Sequence, residues 1–188
     1  MRSEHANPRR PAARGAGDPP GPPGWAFDFA RPEDAEDIAR VRTLAADELT
    51  REYGHGPWSA PATARGVLGT MSNHSRILVA RAPEGIVATL RLATRKPWAI
   101  DASLFTPVRR PIYLTDMAVA PAFQRRGVGR RLLDEAATVS RAWPGDAIRL
   151  DAFDAPAGAG GFYHKCGYRE TGRGVYRGTP HIYFERLL

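Results

Sequence analysis

The sequence predicts a single α/β domain in which helices pack on a sheet. Its 188 residues suit one compact domain, and its apolar (43%) and charged (25%) fractions are those of an ordinary globular protein. Strand-like and helix-like segments follow one another in the order β-α-α-β-β-β-α-β-α-β-β, which is typical of a sheet covered by helices.

The first 24 residues differ in composition from the rest. Six prolines and four glycines fall between Pro8 and Gly24, with no aromatic or branched aliphatic side chain in the segment. Such a segment buries too little apolar surface to offset the entropy lost on ordering. We therefore predict a disordered Pro/Gly/Arg-rich tail over 1–24 and one folded domain over 25–188. The tail lacks the apolar stretch of a secretory signal peptide, so we expect a cytoplasmic location.

The N-terminal third of the domain is predicted to be a strand followed by two helices. Trp25, Phe27 and Phe29 alternate with smaller or polar residues, as in a half-buried strand. A helix follows from Pro32, because acidic side chains in a first turn complement the positive end of the helix dipole. Its apolar stripe consists of Ile38, Val41, Ala45 and Leu49. A second, weaker helix is predicted over 61–71.

The middle of the chain predicts a hairpin and a third strand. Residues 76–81 and 86–93 are strand-like and are separated by a Pro-Glu-Gly turn. Residues 95–111 contain three prolines and are irregular, yet they carry large apolar groups that we expect to fold back over the domain. The next strand covers 112–119.

The remaining elements alternate between helix and strand. We predict a helix over 127–141, a strand over 147–153 and a glycine-interrupted helix over 157–165, followed by closing strands over 168–171 and 181–187.

Composition excludes several kinds of protein. No apolar run approaches the roughly 18 residues that a membrane-spanning helix needs, so we expect no membrane partner. The single cysteine excludes a disulfide framework, and five scattered histidines without HxxxH or HxH spacing argue against a metal site. The net charge of +7, supplied by 25 arginines and two lysines, indicates an anionic partner such as a nucleotide, nucleic acid or acidic surface.

The most informative segment is the turn between the strand over 112–119 and the helix that begins at 127. It contains the sequence Gln-Arg-Arg-Gly-Val-Gly from Gln124 to Gly129. Glycine lets backbone N–H groups approach a ligand closely, and the first amides of the helix are unpaired at its positive end. The turn is therefore either a phosphate site or an exposed arginine-rich helix start. It lacks the third glycine of a dinucleotide fingerprint and the lysine of a Walker loop.

In its full context of strand, proline, glutamine and Gly-x-Gly before a helix, this segment resembles the coenzyme A signature of the GNAT superfamily of N-acetyltransferases. The resemblance extends over about residues 25–188 and implies a single mixed, mostly antiparallel sheet flanked by helices. It implies that the turn amides bind the coenzyme A pyrophosphate and that the preceding strand orients the pantetheine arm. The strand residues are Met117, Ala118 and Val119. The turn residues are Gln124, Arg125, Arg126, Gly127, Val128, Gly129 and Arg130.

A second segment, FYHKCGY over 162–168, is similar to the family's second signature. The resemblance implies that Tyr163 is the general acid near the sulfur, whereas a purely structural tyrosine is the alternative. Many relatives have an asparagine seven residues before this tyrosine. Here that position is Pro156, which has no N–H or side-chain amide, so a pantetheine contact from it is in doubt.

Two aspartates are candidates for the base that removes a proton from the amine. Asp151 matches a carboxylate position in relatives similar to the ribosomal-protein acetyltransferases, and Asp116 lies on the strand before the turn. Strand alternation predicts that Asp116 faces away from Thr115 and Met117. Each aspartate could instead be salt-bridged, and deprotonation through water without a carboxylate is a further alternative.

These observations predict an acetyl-CoA-dependent N-acetyltransferase that uses no metal. The acceptor is a primary amine of a small molecule or peptide and attacks the thioester directly. We expect its pocket between the first two helices and the 95–111 loop, with Glu48, Glu52 and Asp101 attracting a cation. The alternatives are a non-catalytic acyl-CoA-binding regulatory module and, less favoured because the arginines form no long stripe, a nucleic-acid binder. The sequence leaves open the acceptor, the acyl length and whether the chain forms a homodimer.

Overall fold

The computed structural model describes residues 24–188, over which seven strands and four helices follow the predicted order. The strands are β1 Ala26–Phe29, β2 Ser75–Ala82, β3 Gly85–Ala93, β4 Pro111–Val119, β5 Ala147–Phe153, β6 Arg169–Tyr176 and β7 Thr179–Leu187. The helices are α1 Ala35–Tyr53, α2 Ala64–Thr70, α3 Val128–Ala142 and α4 Gly160–Lys165. The predicted tail lies outside the described residues except for Gly24, so it stays a prediction.

The seven strands form one sheet in the order β1-β2-β3-β4-β5-β7-β6. Every neighbouring pair is antiparallel except β4 and β5, which are parallel. The apolar sides of α3 and α4 pack on one face of this sheet, and those of α1 and α2 pack on the other. The predicted fold class, one mixed and mostly antiparallel sheet flanked by helices, is confirmed.

The two parallel strands separate along most of their length. β4 pairs with β5 only where Pro111–Tyr113 meets Ala147–Arg149, although both strands continue well beyond this point. On its other side β4 pairs with β3 through an irregular register, and Asp116 there has a left-handed backbone with φ 56°. A bulge of this kind bends a strand. The result is an opening in the sheet between 114–119 of β4 and the end of β5.

Local sequence signals explain where α1 begins and ends. The carboxylate of Asp34 accepts the Arg31 amide at 2.8 Å and binds both terminal nitrogens of Arg81 from β2, at 2.9 and 2.7 Å. The Arg81 hydrogen bonds lower the pKa of Asp34. The helix ends at Gly54, which has the positive φ (79°) that favours glycine.

Two elements differ from the sequence-based prediction. β6 runs over Arg169–Tyr176, longer than the predicted 168–171, because Gly172 and Gly174 hide its alternation while packing against Leu104 and Tyr183. The last helix is shorter than predicted, since Ala155–Ala159 forms a tight turn before it. At Gly158 a Cβ would lie 1.9 Å from the Phe153 carbonyl oxygen, so the chain can close this turn only with glycine.

A buried ion pair fixes the irregular segment between β3 and β4. Arg149 Nε lies 3.1 Å from Glu185 Oε1, and both side chains are almost fully buried. The same guanidinium donates to the Thr106 carbonyl and lies over the Phe105 ring. As expected from its apolar groups, the segment folds back onto the domain, with Ile100 and Phe105 buried.

Candidate active site

A cavity of about 650 Å³ occupies the opening between β4 and β5. Its wall includes Arg42 of α1 on one side of the sheet and Tyr163 of α4 on the other, with Met117 and Asp151 from the two separated strands. Because the strands have parted, side chains from both faces of the sheet reach one space. The cavity can therefore receive two molecules from opposite sides of the sheet.

The turn before α3 presents unpaired amides at the end of this opening. Among the described residues, none of the amides from 125 to 130 donates to a backbone carbonyl, and the first amide bond into α3 is from Arg131 to the Gly127 carbonyl. Arg125 and Gly127 have positive φ values, 59° and 89°. A turn that combines left-handed and right-handed residues points successive backbone N–H groups into one concavity, which suits an anion.

Close packing beneath the turn leaves little room for a side chain at Gly129. Gly129 is buried, and a Cβ there would lie 3.2 Å from Phe162 and 3.4 Å from Val119. The Gln124 side-chain amide donates to the Val119 carbonyl at 3.2 Å and so joins the two ends of the turn. The residues at the turn therefore fit a pyrophosphate bound by main-chain donors.

Most arginines at the turn are held rather than mobile. Arg130 donates to the Lys165 carbonyl of α4, and Arg126 lies over the Phe123 ring. Arg131 packs on the rings of Trp25 and Phe27. Arg125 is exposed and carries positive charge beside the unpaired amides. The positive field at the turn thus comes from groups with fixed positions, which need little reordering when an anion binds.

The backbone of β4 lines the opening next to the turn. Ala118 and Val119 pair with β3 on one side, opposite Thr89 and Ala88. Their other side faces the opening rather than a strand, because the pairing between β4 and β5 has already ended. Met117 reaches across the opening, and its sulfur lies 3.8 Å from the Tyr163 hydroxyl.

Tyr163 is buried with its ring among the aromatic side chains of Phe162, Tyr168 and Phe184. Burial raises the pKa of its phenol well above the ordinary value, and the negative charge of Asp151 raises this pKa further. The hydroxyl is therefore protonated at neutral pH. Such a group can donate a proton to a leaving thiolate.

Asp151 forms a pair that sequence reasoning missed. Its Oδ2 lies 2.7 Å from Nδ1 of His181 on β7, and both residues line the cavity. An ionised carboxylate only accepts hydrogen bonds, so Nδ1 carries a proton, and in the neutral form of the ring Nε2 is the acceptor. Nε2 has no hydrogen-bond partner among the described residues and is not closed off from solvent. The two residues are 30 positions apart, and only the register between β5 and β7 brings them together.

Asp116 lies in a different environment from the one that strand alternation predicted. The bulge lets Thr115, Asp116 and Met117 all line the cavity, so the expected division between faces was wrong. The Asp116 carboxylate binds Arg91 Nε at 2.7 Å and the Thr115 hydroxyl at 3.2 Å, and it lies 3.9 Å from Arg42 Nη1. Because its carboxylate lies between two guanidinium groups that favour the ionised form, Asp116 is less suited than Asp151 to accept a proton.

The predicted surroundings of the acceptor pocket are found only in part. Residues of α1, the 57–62 segment and the loop after β3 do line the cavity. Glu48, Glu52 and Asp101 are not among its lining residues, and Trp98 of the loop is 88% exposed. The charged groups at the cavity are instead the pairs described above and Arg42. Within residues 24–188 there is no group of three or more side chains suited to hold a metal ion.

Comparison with known proteins agrees with this geometry. A sequence model of the acetyltransferase (GNAT) domain matches residues 73–170, which is 98 of the 188 residues. No curated protein matches the chain in sequence. None of the described helices is long and apolar enough to cross a membrane.

Three solved structures illustrate the likeness of fold. The protein yncA of Salmonella typhimurium, with its cofactor acetyl-CoA, is 17% identical with a TM-score of 0.60, over 87% of this chain and 94% of that chain. The ribosomal-protein-S18-alanine N-acetyltransferase of Escherichia coli is 14% identical with a TM-score of 0.63, over 87% and 93%. The paia N-acetyltransferase of Thermoplasma acidophilum, in complex with coenzyme A, is 16% identical with a TM-score of 0.64, over 87% and 99%.

Proposed function

Because the chain belongs to the GNAT family of acetyltransferases, we propose that it transfers an acetyl group from acetyl-CoA to a primary amine of a small molecule or peptide. The observation that carries this proposal is the cavity between β4 and β5, which is lined by Tyr163 and the Asp151–His181 pair and by the part of β4 that leads to the unpaired turn amides. These are the parts that direct transfer needs: an anion site, an acid and a base.

The coenzyme would bind along the end of β4 and the turn that follows it. Amides 125–130 would hold the pyrophosphate, and the free backbone edge of 117–119 would bind the pantetheine arm. When bound there, acetyl-CoA supplies a thioester whose carbonyl carbon accepts the amine. A backbone N–H group of β4 is a fixed donor that can stabilise the negative charge developing on the carbonyl oxygen.

The Asp151–His181 pair would prepare the amine. An alkylamine has an ordinary pKa of about 10.4 and is mostly protonated at neutral pH, so it cannot attack until a base removes a proton. His181 Nε2 is the unprotonated nitrogen of the pair, and Asp151 holds the ring in this tautomer and stabilises the imidazolium that forms. Tyr163 would then give its proton to the sulfur that leaves.

Two measurements test the proposal. Isothermal titration calorimetry should detect coenzyme A binding, and Gly129→Val should weaken it at least about tenfold because the added side chain would press on Phe162 and Val119 and displace the turn. Thiol release should then follow on addition of acetyl-CoA and a panel of amino acids, amino acid amides, polyamines and short peptides. Coenzyme A binding without turnover on any amine would favour the non-catalytic module, and absence of binding would refute the proposal.

A matched pair of tyrosine variants tests the acid. Tyr163→Phe should lower kcat by about 100-fold, the lower end of the usual contribution of general acid catalysis, with little change in coenzyme A affinity. Tyr53→Phe, at the exposed end of α1 and outside the cavity lining, is the control and should keep full activity. Equal turnover in the two variants would remove Tyr163 from the mechanism.

A further inference from the structure

Two arginines of the cavity, Arg42 and Arg91, have a single carboxylate, Asp116, within ion-pair distance. Two of the cavity's carboxylates already have partners, since Asp116 binds Arg91 and Asp151 binds His181. Arg42, which projects from α1, shares Asp116 with Arg91 and has no other carboxylate within ion-pair distance among the described residues. Its Nη1 lies 3.9 Å from Asp116 Oδ2, which is too far for a hydrogen bond.

The guanidinium of Arg42 is largely removed from water as well. Its side chain is 14% exposed, and Nε and Nη2 are closed off from solvent without any hydrogen-bond partner among the described residues. Nη1 also has no acceptor there, but it is not closed off and is the nitrogen that can meet a ligand. Burial lowers the pKa of Arg42 and Asp116 opposes this effect, although an arginine stays charged at any physiological pH.

Such an arrangement is costly for the free protein. A buried guanidinium with unused donors has lost its hydration and gained few hydrogen bonds in return. An apolar residue would suit the same position, because Val41 and Ala46 beside it on α1 are buried. Buried groups that destabilise the folded protein in this way are concentrated at functional sites.

Arg91 adds a second set of open donors. Its Nε binds Asp116, while its terminal nitrogens have no hydrogen-bond partner among the described residues and are not closed off from solvent. Two guanidinium groups thus share one carboxylate within the cavity, which leaves a net charge of about +1 at this end. The planar donors of arginine match the two oxygens of a carboxylate.

We propose that Arg42 and the terminal nitrogens of Arg91 bind a carboxylate of the acceptor, which is therefore an amino acid or another amino-carboxylate. This inference rests on the proposed function and adds the class of acceptor. The amine would lie toward Asp151 and His181, and the carboxylate toward α1. The coenzyme does not need these donors for its pyrophosphate, because the turn after β4 supplies the unpaired amides of 125–130 for it.

The test compares acceptors that differ only in this charge. Glycine, β-alanine and 4-aminobutyrate, together with the common α-amino acids, are each compared with the corresponding carboxamide. At least one free acid should be acetylated with a kcat/KM about 10- to 100-fold above that of its amide, the range expected for a charged hydrogen bond. Arg42→Met should abolish this preference by lowering kcat/KM for the acid alone, and Arg42→Lys should retain part of it.

A control variant and a binding measurement separate a binding role from a structural one. Arg40→Met changes an arginine of the same helix that is 57% exposed and paired with Asp37, so it should keep the preference for the acid. Calorimetry without acetyl-CoA should show that the preferred acid, but not its amide, binds the wild type and fails to bind Arg42→Met. Coenzyme A should bind all variants equally, which also shows that they are folded.

The outcomes distinguish this inference from the proposed function. Acids and amides acetylated equally well would overturn the carboxylate site and leave the acetyltransferase proposal standing. Failure of coenzyme A to bind the wild type would refute the proposed function. If coenzyme A binds without turnover, the carboxylate site is tested by calorimetry alone. An absence of binding by every acid in the panel would then refute that site.

Discussion

Nδ1 of His181 and Oδ2 of Asp151 lie 2.7 Å apart on the neighbouring strands β5 and β7, with both side chains at the wall of the cavity. The His181 side chain is only 8% exposed, and its ring also contacts Phe153 and Tyr176. The ring is therefore fixed in orientation by packing as well as by the carboxylate. In the proposed role as base, a ring held in this way would need no reorganisation before it accepts a proton.

The first prediction concerns this pair. His181→Gln and Asp151→Asn should each lower kcat about 100-fold at neutral pH, because the amine must then lose its proton to water. Since the two residues act as one unit, the double variant should lose little more than either single variant. His74→Gln, which changes an exposed histidine away from the cavity, is the control.

The pH dependence of activity provides a second measurement on the same variants. The deficit of His181→Gln should shrink as the pH rises toward the amine's own pKa of about 10, because the amine then deprotonates without help. A profile of kcat/KM against pH measures this change. An equal deficit at every pH would point to a structural role for His181.

The second prediction concerns the tight turn before α4. Gly158→Ala should lower the free energy of unfolding by about 3 kcal/mol, because its Cβ would overlap the Phe153 carbonyl oxygen and force the backbone apart. Gly161→Ala is the matched control, since a Cβ there meets nothing within 4 Å and alanine favours a helix. This variant should be more stable by about 0.5 kcal/mol.

Urea denaturation of both variants measures the difference. Because the turn also ends β5 near Asp151, Gly158→Ala should lose activity along with stability. Two variants of equal stability would show that the turn can relax around a side chain, contrary to the geometry described here.

The third prediction concerns Tyr168, whose hydroxyl is buried with no hydrogen-bond partner among the described residues. Tyr168→Phe should raise the free energy of unfolding by about 1 kcal/mol at neutral pH, because the buried hydroxyl has lost its hydration without compensation. Thermal or urea unfolding at pH 7 checks this. A loss of stability would mean that the hydroxyl is satisfied by an ordered water.

The same residue predicts how stability changes in alkali. Burial raises the pKa of Tyr168 well above its ordinary value near 10, so the folded state holds this proton more tightly than the unfolded state. Its contribution is fully present below about pH 10 and is lost as the pH rises from there toward the folded pKa, by at most about 1.4 kcal/mol per pH unit. Tyr168→Phe should flatten this decline, and Tyr163 and Tyr183, whose pKa values are also raised, should account for part of what is left.

Much of the fold could be predicted from the sequence because its signals are local. Periodicity, prolines and turn glycines determined the element order, the hairpin of β2 and β3 and the bounds of β5. β6 was underestimated because the glycines of Arg169–Tyr176 leave no alternation to detect, although they are needed for close packing.

The candidate site likewise has a part that local sequence predicts and a part that it does not. The amides of the turn at Gln124–Arg130 depend on a few consecutive residues, so their number and direction were already implied by the order of glycines and the start of a helix. Tyr163 and Asp151 were identified by resemblance to the family. The distances from these residues to their neighbours could not be predicted from the sequence.

The sequence by itself determined the sheet with its helices and the glycine-containing turn before α3, since each depends on residues that are neighbours along the chain. Tertiary structure alone decided that β4 and β5 separate, that His181 meets Asp151, and that Arg42 faces the cavity without a carboxylate of its own. These relationships depend on strand register and on a bulge at Asp116. A shift of one residue in either would turn the same side chains to the opposite face of the sheet.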